Sequence, residues 1–180
     1  EITAALRLAL SPAENNRLDA IPTTNPAAYD LLKQARALDS RGRNTRDRRE
    51  LILPLLERAV VLDPNYAEAW AMLSSIHAGL YALSERTPER LKAAHMALAW
   101  ADLLAPDAYY TLLAGANLGS ITRDRAAVNA RRRRIIELFP DRPEAHLAVA
   151  ATAQYEERWA DALVSFRAAA RLDPRNASTL

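Results

Sequence analysis

No cysteine occurs anywhere in the chain, which removes disulfides, thiolate nucleophiles and cysteine-based zinc sites together and leaves the redox compartment open. Cytoplasm and periplasm both fit. Glycine is scarce, with 4 in 180 residues. Alanine, leucine, arginine and glutamate dominate instead, and these lose least on entering a helix. An all-α protein is expected. No apolar run of about 18 residues occurs, so no membrane insertion is expected, and no charged-then-apolar leader opens the sequence. With 50% hydrophobic and 26% charged residues, the composition is that of a soluble, folded chain. Its opening on Glu1 rather than Met suggests an excerpt or a processed form.

Lysine is nearly absent as well. Lys33 and Lys92 are the only two, so arginine carries almost all of the 24 cationic side chains behind a formal net charge of +2. A genome rich in G and C gives the same bias, so it is not by itself a sign of nucleic-acid binding.

The constellations that enzymes need are missing too. His77, His95 and His146 are the only histidines; no two stand at i,i+4 and none lies in an HExxH, so no metal site is expected. Serine offers neither a GxSxG elbow nor an SxxK. Glu156 and Glu157 are adjacent, and adjacent residues at a helix end point apart. LLAGANLGS (112–120) contains glycines but lacks the GK[ST] ending of a phosphate loop. Gly115 and Gly119 are better read as close-approach points between helices, with Gly119 ending its own helix. Neither a catalytic residue nor a cofactor is expected.

What is present is a period. Pro26, Pro64, Pro106, Pro140 and Pro174 follow one another at steps of 38, 42, 34 and 34 residues, and such a repeat signals a tandem array. VLDPNYAEAW (61–70) returns as RLDPRNAS (171–178). After each proline come helix-forming residues and a polar break. The breaks are SRGRNTRD (40–47), SERTPE (84–89), SITRDR (120–125) and YEERW (155–159), and a second helix follows each before the next proline. Proline stops that helix because it has no N–H to donate and biases its predecessor away from αR. Pro54 falls inside the second helix of the first unit, which is therefore expected to bend or to start near Leu53.

Set on this period, the residues resemble a tetratricopeptide repeat array, whose pattern runs W-x2-L-G-x2-Y, A-x3-F, P. Trp70 and Leu73 match in the second copy, with Ser74 in the glycine's place and Ala94, Leu98, Ala101 and Pro106 closing it. In the fourth copy Ala150, Ala162, Phe166, Ala169 and Pro174 match, while His146 replaces the tryptophan. The third keeps Leu112, Ala116 and Pro140 but has Val128, Arg132 and Ile135 where Ala, Phe and Ala are usual. The first is loosest, with Tyr29, Leu32, Ile52, Leu56, Ala59 and Pro64. The resemblance implies an α-solenoid of tandem antiparallel helix pairs, a right-handed superhelix. It would hold about four repeats, at 26–64, 65–106, 107–140 and 141–174, with a further copy starting at 175–180.

Residues 1–25 are expected to form an N-terminal helix, ITAALRLAL (2–10), and a linker. Leu10, Ser11, Pro12, Thr24, Asn25, Pro26, Ala28 and Tyr29 resemble the join between a TolB-like domain and a repeat array in bacterial signalling proteins. That resemblance implies a larger parent chain carrying a class III adenylate cyclase or a winged-helix DNA-binding domain.

The repeat resemblance also implies a concave groove for a peptide or partner helix. Its positions fall at Ala71 and Ser75, at Tyr110, Leu113 and Asn117, and at Leu147, Ala151 and Gln154. The Lys/Asn/Arg set with which some such arrays clamp a C-terminal carboxylate is missing apart from Asn117. Two arginine clusters stand apart from this groove. Arg41, Arg43, Arg46, Arg48 and Arg49 in the first turn offer a patch for an acidic partner. In ARRRRIIE (130–137) four successive arginines surround a helix, so at least one faces a neighbour; the register points to Arg132.

The leading expectation is a non-catalytic protein-interaction or scaffolding module, the C-terminal repeat region of a bacterial signalling protein. One alternative is the regulatory region of an adenylate cyclase. The other is a nucleic-acid-associated regulator using the arginine turns, although aromatics interleaved with exposed charge, which such binding favours, are lacking.

Overall fold

A computed structural model describes residues 23–40, 45–155 and 157–174. The expected helix at 2–10, Arg41, Arg43 and the start of a further copy at 175–180 lie outside these residues. The described chain is all-helical, with eight helices and no strand: α1 (Pro26–Asp39), α2 (Arg46–Leu62), α3 (Ala67–Leu83), α4 (Pro88–Leu104), α5 (Tyr109–Thr122), α6 (Arg125–Leu138), α7 (Pro143–Tyr155) and α8 (Trp159–Leu172). They pack in sequence-adjacent pairs, α1 on α2, α3 on α4, α5 on α6 and α7 on α8. Successive pairs touch, with α3 lying against α2 and α5 as well as α4.

The even-numbered helices all stop in the same way. Leu62, Leu104, Leu138 and Leu172 are their last residues, each two before a proline. The intervening residue still donates its N–H back into the helix, Asp63 to Ala59 at 3.0 Å, Ala105 to Ala101 at 2.8 Å, Phe139 to Ile135 at 2.9 Å and Asp173 to Ala169 at 2.9 Å. Proline then cannot donate the next bond, and the chain turns. In three turns the carbonyl before the proline accepts a second bond, from Tyr66, Ala108 and Arg142 at 3.1, 3.2 and 3.1 Å, and a new helix follows at once.

A ring hydrogen bond secures two of these turns. Trp70 donates Nε1–H to the Pro64 carbonyl at 2.8 Å, and His146 meets the Pro140 carbonyl through Nε2 at the same distance. The histidine that replaces the tryptophan therefore does the same job. Leu112, at the corresponding place after Pro106, has no side-chain N–H to offer. Trp70 also stacks on Trp100, with centroids 5.8 Å apart and planes 20° apart, joining α3 to α4.

Helix starts are capped where the sequence provides an acceptor. Asn25 accepts from the N–H groups of Ala27 and Ala28 ahead of α1, Thr87 from Arg90 ahead of α4 and Asp124 from Ala127 ahead of α6. Asn25 also donates its amide to the Leu62 carbonyl at 2.9 Å, tying the start of α1 to the end of α2.

Two expectations need correction and another is narrowed. First, of the two outcomes expected at Pro54, a bend or a start near Leu53, the later start is excluded, since α2 runs from Arg46 with Pro54 inside. Pro54 is exposed, so the carbonyl it leaves without a donor faces water, which lowers the cost. Second, α5 does not end at Gly119. It continues to Thr122 and closes on Arg123, whose φ of 63° is left-handed. Gly119 instead meets α6, where an added Cβ would lie 3.0 Å from Val128 Cγ2. Third, Arg132 is not alone in facing a neighbour. Arg131 makes a two-pronged ion pair with Asp102 of α4, both contacts at 2.6 Å, and Gly115 leaves the room its guanidinium fills, since a Cβ there would lie 2.9 Å from Arg131 Nε. The fork geometry holds Arg131 more firmly than a lysine could be held. Arg132 borders a separate cleft of about 480 Å³ with Ile136 and Val149.

Candidate functional site

A groove of about 1130 Å³ runs across α1, α2, α3 and α5 and reaches the turn before α7. Five of the eight expected groove residues line it: Ala71 and Ser75 from α3, and Tyr110, Leu113 and Asn117 from α5. They fall there because residues three and four apart share a helix face, so 71 and 75 form one stripe and 110, 113 and 117 another. Ala71 and Ala114 pack together with Ala101 beneath it, and these short side chains let α3 and α5 approach. Leu147, Ala151 and Gln154 do not line this groove. Leu147 is half-buried in α7, while Ala151 and Gln154 are exposed.

At one end the groove is aromatic. Tyr109 and Phe139 meet edge to face at 5.6 Å. The Arg142 guanidinium lies over both, 4.8 Å from the Tyr109 ring and 5.5 Å from the Phe139 ring, a favourable cation–π placement. Burial raises the Tyr109 and Tyr110 hydroxyl pKa values, so both stay neutral hydrogen-bonding groups at physiological pH.

The other end is charged. Arg36 of α1 forms an ion pair with Glu68 of α3. Arg49 of α2 extends under α3, donating Nη1–H to the Ser75 carbonyl at 2.9 Å. Its guanidinium rests against Gly79, where a Cβ would lie 2.0 Å from Cζ. A side chain at 79 would have to displace the guanidinium from this place. Burial pulls the Arg49 pKa below the usual arginine value, partly offset by the charge of Asp39.

The expected arginine patch is thus divided. Arg46 is exposed and engaged with Glu50 at 2.6 Å and more distantly with Glu85 at 3.8 Å. Arg48 is half-buried, and Arg49 belongs to the groove. Sequence reasoning placed Arg49 with the turn because it sits in an arginine-rich run. The glycine at 79 that receives it lies 30 residues away, and nothing in the local sequence links the two.

His77, elsewhere in α3, accepts at Nδ1 from Arg90 at 3.0 Å, since arginine has no lone pair to offer. Arg90 is in turn held by Glu85. Burial first, then the Arg90 charge, pushes the His77 pKa down to about 4. Among the described residues no group of three or more His, Cys, Asp or Glu is placed to hold a metal ion, and no helix is long and apolar enough to cross a membrane.

No family model matches the chain, and no curated protein matches it.

Proposed function

We propose that this chain is a non-catalytic protein-interaction module, a tetratricopeptide-type solenoid of about four helix pairs whose concave groove holds a peptide segment. The observation that carries this reading is the meeting of Ala71, Ser75, Tyr110, Leu113 and Asn117 in one groove. Small residues on its floor leave room for a main chain. Asn117 is exposed and offers an amide that both donates and accepts, as an extended peptide backbone requires. Matching turns after Pro64, Pro106 and Pro140 favour a repeated unit.

In this reading the module serves a larger bacterial signalling protein, with an adenylate cyclase or a DNA-binding domain elsewhere in the parent chain. Direct nucleic-acid binding by the arginine turn has less support, because Arg46 is engaged with acids and Arg49 is turned inward.

The immobilised protein presented with a displayed library of linear peptides should retain a defined subset. Tyr110→Ala and Asn117→Ala should each abolish that capture without loss of helicity by circular dichroism. Capture that survives both substitutions would move the site out of the groove. Binding to single-stranded DNA that falls steeply with log salt would favour the nucleic-acid reading instead.

A further inference from the structure

We propose that Arg49 receives a carboxylate, so that the groove selects peptides with an acidic side chain set among apolar ones. This rests on the groove being a peptide site. Three guanidinium groups line the groove, Arg36, Arg49 and Arg142, against two carboxylates, Asp39 and Glu68. Glu68 is taken by Arg36. Asp39 acts on Arg49 only through its charge, without an ion pair.

Arg49 is therefore a cation without a carboxylate in contact among the described residues. An arginine carries five N–H donors, and among the described residues one finds a partner, the Ser75 carbonyl, while the buried Nε finds none. Withdrawing such a group from water is unfavourable unless a counter-charge replaces the water. Gly79 leaves the room that the guanidinium occupies, since a Cβ there would lie 2.0 Å from Arg49 Cζ.

The contrast with Arg131 supports the assignment. Arg131 also fills the space beside a glycine, Gly115, but it reaches Asp102 with both prongs. Two arginines are seated in the same manner, and only the one in the groove lacks its acid. The ligand's neighbouring apolar side chains would rest on Ala71, Met72 and Leu113.

The test is a selection from a randomised linear peptide library, followed by fluorescence anisotropy of the most enriched peptide. Enrichment of Asp or Glu at one fixed position between apolar residues is expected. Replacing that acid in the peptide by its amide should weaken binding about tenfold or more, as charged hydrogen bonds of this kind do. Arg49→Gln should erase the difference between the two peptides, and Arg49→Lys should restore part of it. Circular dichroism checks each variant, and the amide-substituted peptide carries the test if Arg49→Gln does not fold.

Enriched peptides that are neutral, or that bind the Arg49→Gln protein equally well, would overturn the carboxylate assignment. If those peptides are still lost on Leu113→Arg, the groove itself stands. Peptides indifferent to Leu113→Arg, or a selection without enrichment, would overturn both the groove reading and this one.

Discussion

Between α1 and α3 the side chains of Leu32, Ile52, Leu56, Tyr66, Ile76 and Leu80 are sealed from solvent in one cluster, whereas the buried residues described in α7 and α8 are all alanines: Ala145, Ala150, Ala153, Ala162 and Ala169. Trp159, Leu163 and Val164 of α8 remain exposed. Yet residues 141–174 follow the repeat pattern most closely, and 26–64 follow it least. The pattern records where helices must come close, which alanine permits. It says little about how much apolar surface is buried there. Burial of leucine and isoleucine side chains contributes about 1.5–3 kcal/mol each, so the pair with the poorer pattern holds the larger share of stability.

The sharpest way to break this comparison is a matched pair of truncations. Leu56→Ala in α2 should cost about 2–5 kcal/mol, while Leu163→Ala in α8, nearly half exposed, should stay within about 0.5 kcal/mol. Equal losses in urea denaturation would show that the last pair is covered by something in solution.

Acid provides the next test. The folded-state pKa of His77 is lowered from 6.5 to about 4, so the unfolded chain binds more protons than the folded one between those values. Stability should therefore be unaffected by His77 above pH 6.5 and fall as the pH drops from there to about 4, by at most roughly 3 kcal/mol. His77→Gln should flatten this dependence in thermal melts recorded across the window.

Smaller effects sharpen the account of the first cluster. The Tyr66 side chain is fully buried and its hydroxyl has no hydrogen-bond partner among the described residues; burial pushes its pKa up to about 12. Tyr66→Phe should raise stability by about 1 kcal/mol, because an unsatisfied buried hydroxyl is removed. In the second half, Asp102→Asn should cost about 0.5–1 kcal/mol, the partly exposed fork with Arg131 being worth little more. Asp107→Asn, at a largely exposed ion pair with Arg134, should leave the melting temperature nearly unchanged.

The same contrast explains what could be read from the residues alone. Helix ends were legible because Leu-x-Pro is a local instruction: no N–H follows, so the helix stops. Ala71, Ser75, Tyr110, Leu113 and Asn117 come from the repeat resemblance, and they line one cavity because helical spacing puts 71 with 75 and 110 with 113 and 117 on one face. Arg49 was not legible there, since its position depends on Gly79 in another helix and on the distant Ser75 carbonyl. Pro54 left a bend and a late start both open, because its effect depends on which side of the helix it occupies. The wet side tolerates the lost hydrogen bond, and periodicity in so apolar a segment does not identify that side.

The stacked indoles of Trp70 and Trp100 have an optical consequence. Chromophores held this close and nearly parallel couple their excited states, so the pair should give a two-signed circular dichroism band that vanishes when α3 and α4 separate. Trp159, the third and last tryptophan, stands alone and exposed on α8 and should report through its emission. One unlabelled sample thus carries two colours of signal, one for the well-filled part of the molecule and one for the alanine-packed end, and a single heating run can show whether they melt together.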